Sequence, residues 1–309
     1  MSKKIGYLFP GQGAQSPGMG KDFAAAFSVA RHTFEEADEW LNEKLSEIIF
    51  EGSEALLTET RYSQLAIFIT STAVLRVVQS QFPNIQPAVC SGLSLGEYTA
   101  LSASGRLSFR ETLFLVRERA RFMNEACKKT PGMMAAVLGC SGAEVESILA
   151  GCSEIWIANY NAPGQIVISG TKEGVEKASL RLKEGGAKRV IPLAVHGAFH
   201  SGLMSLAQEE LESFISASAV QKSSIGFVMN VPGNFVSSIE DVKKYLIQQV
   251  THSVRWEQGI QAMGSIDLFI EMGCGKTLAG LNKKMETAPT LSLDKVVDLE
   301  RVGKELCNC

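Results

Sequence analysis

Apolar positions along the chain change period several times, and each change marks an element. Ile5-Gly6-Tyr7-Leu8-Phe9 is a short apolar run stopped by Pro10 and Gly11, the pattern of a buried strand entering a loop. From Phe23 to Leu45 and from Leu56 to Gln81, apolar residues recur every three or four positions, which predicts helices. Pro87-Ala88-Val89-Cys90 predicts a second buried strand, and a helix-like run follows from Glu97 to Leu101. Phe109 to Ala126 carries the clearest helical stripe in the chain. Further on, Ile225 to Asn230, Asp267 to Glu271 and Thr290 to Leu293 predict strands, and Val242 to Val250 predicts a helix. Buried strands alternating with helices indicate an α/β class with a mainly parallel sheet.

Between these halves the pattern differs. Met134–Leu138, Ile155–Ala158, Ile166–Ser169 and Lys188–Ile191 are strand-like. Ala143–Ala150 and Val175–Lys183 are helical, and Asn161-Ala162-Pro163-Gly164 is expected as a turn. The resulting order is β-α-β-β-α-β, that of a ferredoxin-like module. It predicts a small domain inserted at 128–196, within a large domain formed by 1–127 and 197–309.

At 309 residues, with 45% apolar and 20% charged residues, the chain can bury a full core without disulfides or metal. A formal charge of −3 and no long basic tract argue against nucleic acid as a partner. Met1-Ser2-Lys3-Lys4 lacks the apolar region of a signal peptide. Leu65–Val78 is interrupted by Thr70, Ser71, Thr72 and Arg76, too polar to span a bilayer. Seven cysteines without a C-x-x-C spacing fit reduced thiols in a cytoplasmic protein.

The candidate chemistry centres on Gly92-Leu93-Ser94-Leu95-Gly96, a G-x-S-x-G between a predicted strand and a predicted helix. In that context the motif is a nucleophile elbow, with Ser94 exposed at the top of a sheet and a helix N-terminus aimed at the developing oxyanion. The Gly-rich loop Pro10-Gly11-Gln12-Gly13 fails the dinucleotide fingerprint, because its third glycine would fall on Ser16. Gln12 in that loop is either a polar loop residue or part of the reacting site. Gly273-Cys274-Gly275-Lys276-Thr277 ends like a phosphate loop, but its first required glycine falls on Ile270.

Two histidines, His196 and His200, return near the second crossing into the large domain. A zinc helix would need Glu at 197, where the chain has Gly197, so no metal is expected. One of the two is the natural base for Ser94; His32 is expected on the surface. No Asp lies between Asp38 and Asp241, so the usual carboxylate behind the histidine is missing and a backbone carbonyl is the expected substitute. On the Phe109–Ala126 helix, Arg119 sits in the middle of the apolar stripe, with Arg110, Arg117 and Arg121 opposite. A buried Arg there either meets an internal carboxylate or awaits the carboxylate of a substrate, which its planar fork suits.

Taken together, Phe9-Pro10-Gly11-Gln12-Gly13, Gly92-x-Ser94-Leu95-Gly96-Glu97, Arg119 in its Arg-x-Arg-Phe-Met run, Asn159 to Gln165, Gly197-Ala198-Phe199-His200-Ser201 and Glu271-Met272-Gly273 resemble the malonyl-CoA:acyl carrier protein transacylases. The resemblance spans essentially the whole chain, with the motifs in order. It implies a hydrolase-like large domain with a ferredoxin-like insert, and malonyl transfer from coenzyme A to acyl carrier protein for fatty acid synthesis. The rivals are a serine thioesterase or esterase of the same fold, or supply of a polyketide pathway. The same resemblance implies Ser94 as nucleophile, His200 as base, and Arg119 as holder of the malonyl carboxylate. It also implies the N–H groups of Gln12 and Leu95 as the oxyanion hole, and the main-chain carbonyl of Gln249 as the group orienting the histidine. Phe199 matches the malonyl-selecting form. Leu93 departs from it, since most members carry His there. No cofactor is expected, coenzyme A entering as a thioester substrate, and the expected state is a monomer. An acidic carrier calls for a local basic face, for which Lys188-Arg189 and Lys283-Lys284 are candidates.

Overall fold

The protein is described here from a computed structural model that covers residues 3–195 and 197–307. His196 lies outside the described residues, as do Met1, Ser2, Asn308 and Cys309.

Eleven strands form two sheets among the described residues. The first contains β1 (Ile5–Phe9), β2 (Val89–Gly92), β7 (Gly226–Met229), β8 (Asn234–Phe235), β10 (Leu268–Met272) and β11 (Thr290–Leu293). Their spatial order is β11-β10-β1-β2-β7-β8, parallel throughout except for the β7–β8 hairpin. Every residue of β1, β2 and β10 is buried, as expected of parallel strands covered on both faces.

The second sheet holds β3 (Met133–Leu138), β4 (Ile155–Ala162), β5 (Gln165–Gly170) and β6 (Arg189–Pro192) in the order β6-β3-β5-β4, all antiparallel. Helices Gly142–Leu149 and Lys172–Glu184 complete the β-α-β-β-α-β order. A fifth strand, β9 (Val254–Arg255), comes from outside this segment and pairs in parallel with β4. That pairing ties the loop just before β9 to the edge of the small sheet, and Ser253 Oγ adds a hydrogen bond to the Ile157 carbonyl at 2.5 Å.

The expected elements differ from the observed ones in instructive places. The helix expected over 23–45 is three helices, Lys21–Ala26, Ser28–Leu41 and Leu45–Glu51. Phe27 breaks it in an extended conformation, and Asn42 stops the second piece at φ +51°. Glu59 likewise divides the next stretch into Glu54–Thr58 and Thr60–Gln81. The turn expected at Asn161–Gly164 begins later, since β4 runs through Ala162 with a bulge on the way. Pairing of Tyr160 and Ala162 with β5 carries the strand past Asn161, which sits at a register shift, and overrides its local turn preference. Among the described residues, no helix is long and apolar enough to cross a membrane. The cysteines at 90, 127, 140, 152 and 274 are free thiols.

The Thr60–Gln81 helix is buried on nearly all sides, enclosed by the Ser28–Leu41, Gly96–Ala103 and Phe109–Lys129 helices. It therefore carries polar side chains, Gln64, Thr70 and Ser71 among them, into the interior. The loops leaving the C-terminal ends of β1, β2, β7 and β10 gather on one side of the sheet, where open α/β sheets present their ligands. The β1 and β2 loops interlock. Leu93 N–H donates to the Phe9 carbonyl at 3.0 Å. A Cβ on Gly96 would lie 2.0 Å from the Phe9 oxygen, and one on Gly92 would lie 2.1 Å from the Gly96 carbonyl carbon.

Because the atoms that a Cβ on Gly96 would meet are all backbone, Gly96→Ala cannot be absorbed by a side-chain shift. The expected loss of stability is about 3 kcal/mol or more, read from the urea midpoint at unchanged m-value. A midpoint within about 0.5 kcal/mol of wild type would show that the elbow is not packed against β1.

Candidate active site

Ser94 follows β2 at φ +51°, a conformation that non-glycine residues adopt only when their surroundings enforce it. Three contacts enforce it here. Ser94 N–H donates to Asn230 Oδ1 at 2.7 Å, Asn230 Nδ2 donates to the Gly92 carbonyl at 2.8 Å, and Gln249 Nε2 donates to the Ser94 carbonyl at 2.9 Å. The hydroxyl is thereby turned towards His200, whose Nε2 lies 2.8 Å from Ser94 Oγ.

His200 is buried and also sits in the left-handed region, at φ +58°. Its Nδ1 faces two carbonyl oxygens, Gln249 at 2.8 Å and His252 at 3.2 Å. Two acceptors fix Nδ1 as the protonated nitrogen and leave Nε2 with its lone pair towards the serine. Burial, then the nearby Arg119 charge, depress the imidazole to about 4, against the opposing pull of the two carbonyls. It is therefore neutral near pH 7 and able to accept a proton from Ser94.

Arg119 lies beneath the serine, only 1% exposed. Its Nη2 donates to Ser94 Oγ at 3.1 Å and to Gln249 Oε1 at 2.9 Å, and its Nη1 donates to Gln64 Oε1 at 2.6 Å. All three acceptors are neutral, and among the described residues no carboxylate forms an ion pair with it. Of the two expectations for a buried Arg here, the internal carboxylate partner is absent from direct contact. The other three arginines of this helix are exposed, and Arg117 and Arg121 pair with Glu118.

Glu97 stands one amide away, with no exposure to solvent. It accepts from Asn230 N–H at 2.5 Å and from Gln249 Nε2 at 2.6 Å. Burial pushes its carboxyl up from the ordinary range, while those two N–H groups and the Arg119 charge pull it back.

Over these residues opens a cleft of about 200 Å³ between the two sheets. Ser94, His200, Gln12, Leu93 and Phe199 line it from the large-sheet side; Asn159, Asn161, Gln165 and Met134 line it from the small sheet. Asn161 Oδ1 is buried with no hydrogen-bond partner among the described residues, an acceptor open to a ligand amide. Neither the Gln12 N–H nor the Leu95 N–H, the latter at a helix start, is used by a hydrogen bond among the described residues. Preorganised N–H groups of this kind can receive an oxyanion. A proton acceptor on a serine, fixed by carbonyls instead of a carboxylate, with a guanidinium below, is equipped for acyl transfer from an acid-bearing substrate.

Comparison with known proteins agrees with this chemistry. The family model for the acyl transferase domain matches residues 6–285. The chain belongs to the acyl transferase family. It is 44% identical over 288 residues to the malonyl CoA-acyl carrier protein transacylase of Bacillus subtilis, covering 91% of this chain and 90% of that protein. The structure of an acyl-carrier-protein S-malonyltransferase from Bartonella henselae superposes with a TM-score of 0.93 at 36% identity, covering 98% and 99% of the two chains. A malonyl-transacylase solved in complex with its type II PKS acyl-carrier protein gives a TM-score of 0.93 at 31% identity, with the same coverage. The hydrolase-like parallel sheet and the small antiparallel sheet are thus those of this family.

Of the residues singled out in the sequence, Ser94, His200, Arg119 and Gln249 meet in one hydrogen-bonded network, and Gln12, Leu95 and Phe199 border it. Gln64, Asn230 and the role of Glu97 were not singled out. Gln64 left a trace, as a polar residue inside the most apolar helix. Asn230 left another, at the C-terminal end of a predicted strand.

The His200 environment has a measurable sign. Modification of Ser94 by a small neutral sulfonyl fluoride should hold its plateau as the pH falls to ~5, then decline with a midpoint at about 4. The unfolded chain takes up this proton first, near its ordinary value of about 6.5, so stability is full above that pH and falls as the pH drops towards the folded value. A reactivity midpoint near 6.5 would mean that the imidazole is solvated.

Proposed function

We propose that this chain moves a malonyl group from coenzyme A to the phosphopantetheine thiol of an acyl carrier protein, through a malonyl ester on Ser94. The observation that carries this reading is the buried Arg119 guanidinium, bonded at 3.1 Å to the nucleophile's own oxygen and to no carboxylate. No carboxylate meets this guanidinium directly, and malonyl supplies one.

In the first step Ser94 Oγ attacks the thioester carbon while His200 Nε2 takes the hydroxyl proton. The N–H groups of Gln12 and Leu95 hold the oxyanion, each worth about 3 kcal/mol to the barrier. Collapse breaks the carbon–sulfur bond, and the departing thiolate recovers the proton from His200. In the second step the carrier thiol gives its proton to His200 and attacks the acyl ester; Ser94 Oγ leaves and is reprotonated. Gln249 holds the histidine through its carbonyl and Phe199 shapes the acyl side of the cleft. Throughout, the malonyl carboxylate lies on Arg119, where an acetyl group would leave the charge unmet.

The carrier approaches the cleft mouth. Lys284 is exposed and its Nζ donates to Gln165 of the cleft wall at 2.5 Å, and its neighbour Lys283 is exposed too. Lys188 and Arg189 stand at β6, the far edge of the small sheet, which makes the first pair the better acidic-protein contact. Fatty acid synthesis is the pathway we assign, and the similarity to a malonyl-transacylase bound to a type II PKS carrier favours polyketide supply as the second reading.

Intact-mass measurement tests the reading. Malonyl-CoA should leave a stable malonyl adduct on the wild-type chain and none on Ser94→Ala, and the adduct should clear only when holo carrier protein is added. Rapid release of free malonate without an acceptor would make the chain a thioesterase. Arg119→Ala should lose malonylation by about 10²-fold or more while gaining acetylation relative to it. Retention of the malonyl preference would remove Arg119 from the mechanism.

A further inference from the structure

Gln249 has one amide and three demands on it. Its Nε2 faces two oxygens, the Ser94 carbonyl at 2.9 Å and Glu97 Oε2 at 2.6 Å, and its Oε1 faces Arg119 Nη2 at 2.9 Å. A carbonyl can only accept and a guanidinium can only donate, so the amide fits in one orientation. Glu97 is the group that locks it. Its other oxygen receives Asn230 N–H at 2.5 Å, and Asn230 in turn holds the Ser94 N–H.

We infer that Glu97 is a positioning residue for substrate selection, holding Arg119 under Ser94 through the Gln249 amide. The inference deepens the reading of Arg119 as the malonyl holder and rests on it.

An isosteric change exposes the role. Glu97→Gln must still present an oxygen to Asn230 N–H, which can only donate. Its new NH2 then faces Gln249 Nε2, donor against donor. If Gln249 turns over to accept, its own NH2 meets Arg119 Nη2 and the Ser94 carbonyl loses its donor. Either way a buried donor is left opposing a donor, and the least anchored member is the guanidinium, whose remaining bonds are to Gln64 and the serine. The elbow keeps its Asn230 contact, so serine reactivity is disturbed less than carboxylate recognition.

The test compares malonylation with acetylation of Ser94 from the two coenzyme A thioesters. Glu97→Gln should lower the malonyl-to-acetyl rate ratio at least about tenfold, the consequence of one unsatisfied buried donor. A purely structural residue would lower both rates together, and an unchanged ratio would overturn the inference. In a Gln249→Met background, Glu97→Gln should lower the ratio no further; an equal drop there would show that Glu97 does not act through Gln249. If Glu97→Gln does not accumulate as folded protein, Glu97→Asp takes its place. Its shorter carboxylate cannot span both N–H groups, and a ratio equal to wild type would again reject the role. A wild-type chain with no malonyl preference contradicts the proposed function instead. In that event a crystal structure of the variant still decides: Arg119 displaced from Gln249 and Ser94 supports the positioning role, and Arg119 unmoved refutes it.

Discussion

A guanidinium buried beneath a serine hydroxyl, hydrogen-bonded only to neutral oxygens, is the constraint on which the site depends. Removing such a charge from water costs several kcal/mol, and neutral acceptors repay part of it. Gln64, Gln249 and Ser94 supply those acceptors, and none of them cancels the charge. Burial first, and then this residual positive charge, depress His200 and keep its imidazole unprotonated; in the proposed reaction the same charge favours an acyl group that brings its own anion. In that reading selection and base tuning come from the same side chain.

The serine and histidine beside this charge are held through their own backbone groups. Two residues of the site, Ser94 and His200, sit at positive φ, and each is pinned by hydrogen bonds to main-chain or amide groups from a different element. The carbonyls of Gln249 and His252 stand where a hydrolase triad would place a carboxylate. A carbonyl fixes the tautomer without adding a second negative charge beside the guanidinium. The short pairing of β9 with β4 holds the segment that carries them, so the small sheet supports the His200 ring as well as walling the cleft.

What could be read in the sequence was whatever depends on near neighbours. The strand–G-x-S-x-G–helix pattern places Ser94 without tertiary information, because both glycines answer to clashes within the turn and with the adjacent strand. The apolar stripe of the 109–129 helix marks Arg119 as inward-facing, since helical period alone decides that. The missing Asp pointed to a carbonyl behind the histidine. Gln64, Asn230 and Glu97 were obscure because their partners lie 55, 136 and 152 residues away, and only the order of strands brings them together. Phe27 and Asn42 break a helix that its periodicity would continue, and pairing with β5 extends β4 past a residue with turn preference.

The charge beneath the serine is tested most directly by a crystal structure of the malonylated chain, trapped before a carrier thiol arrives. The malonyl carboxylate is expected within hydrogen-bond distance, about 3 Å, of the Arg119 nitrogens, in place of the contact the free hydroxyl now makes. A carboxylate found at the cleft mouth, with Arg119 still bonded only to glutamine and serine oxygens, would contradict it.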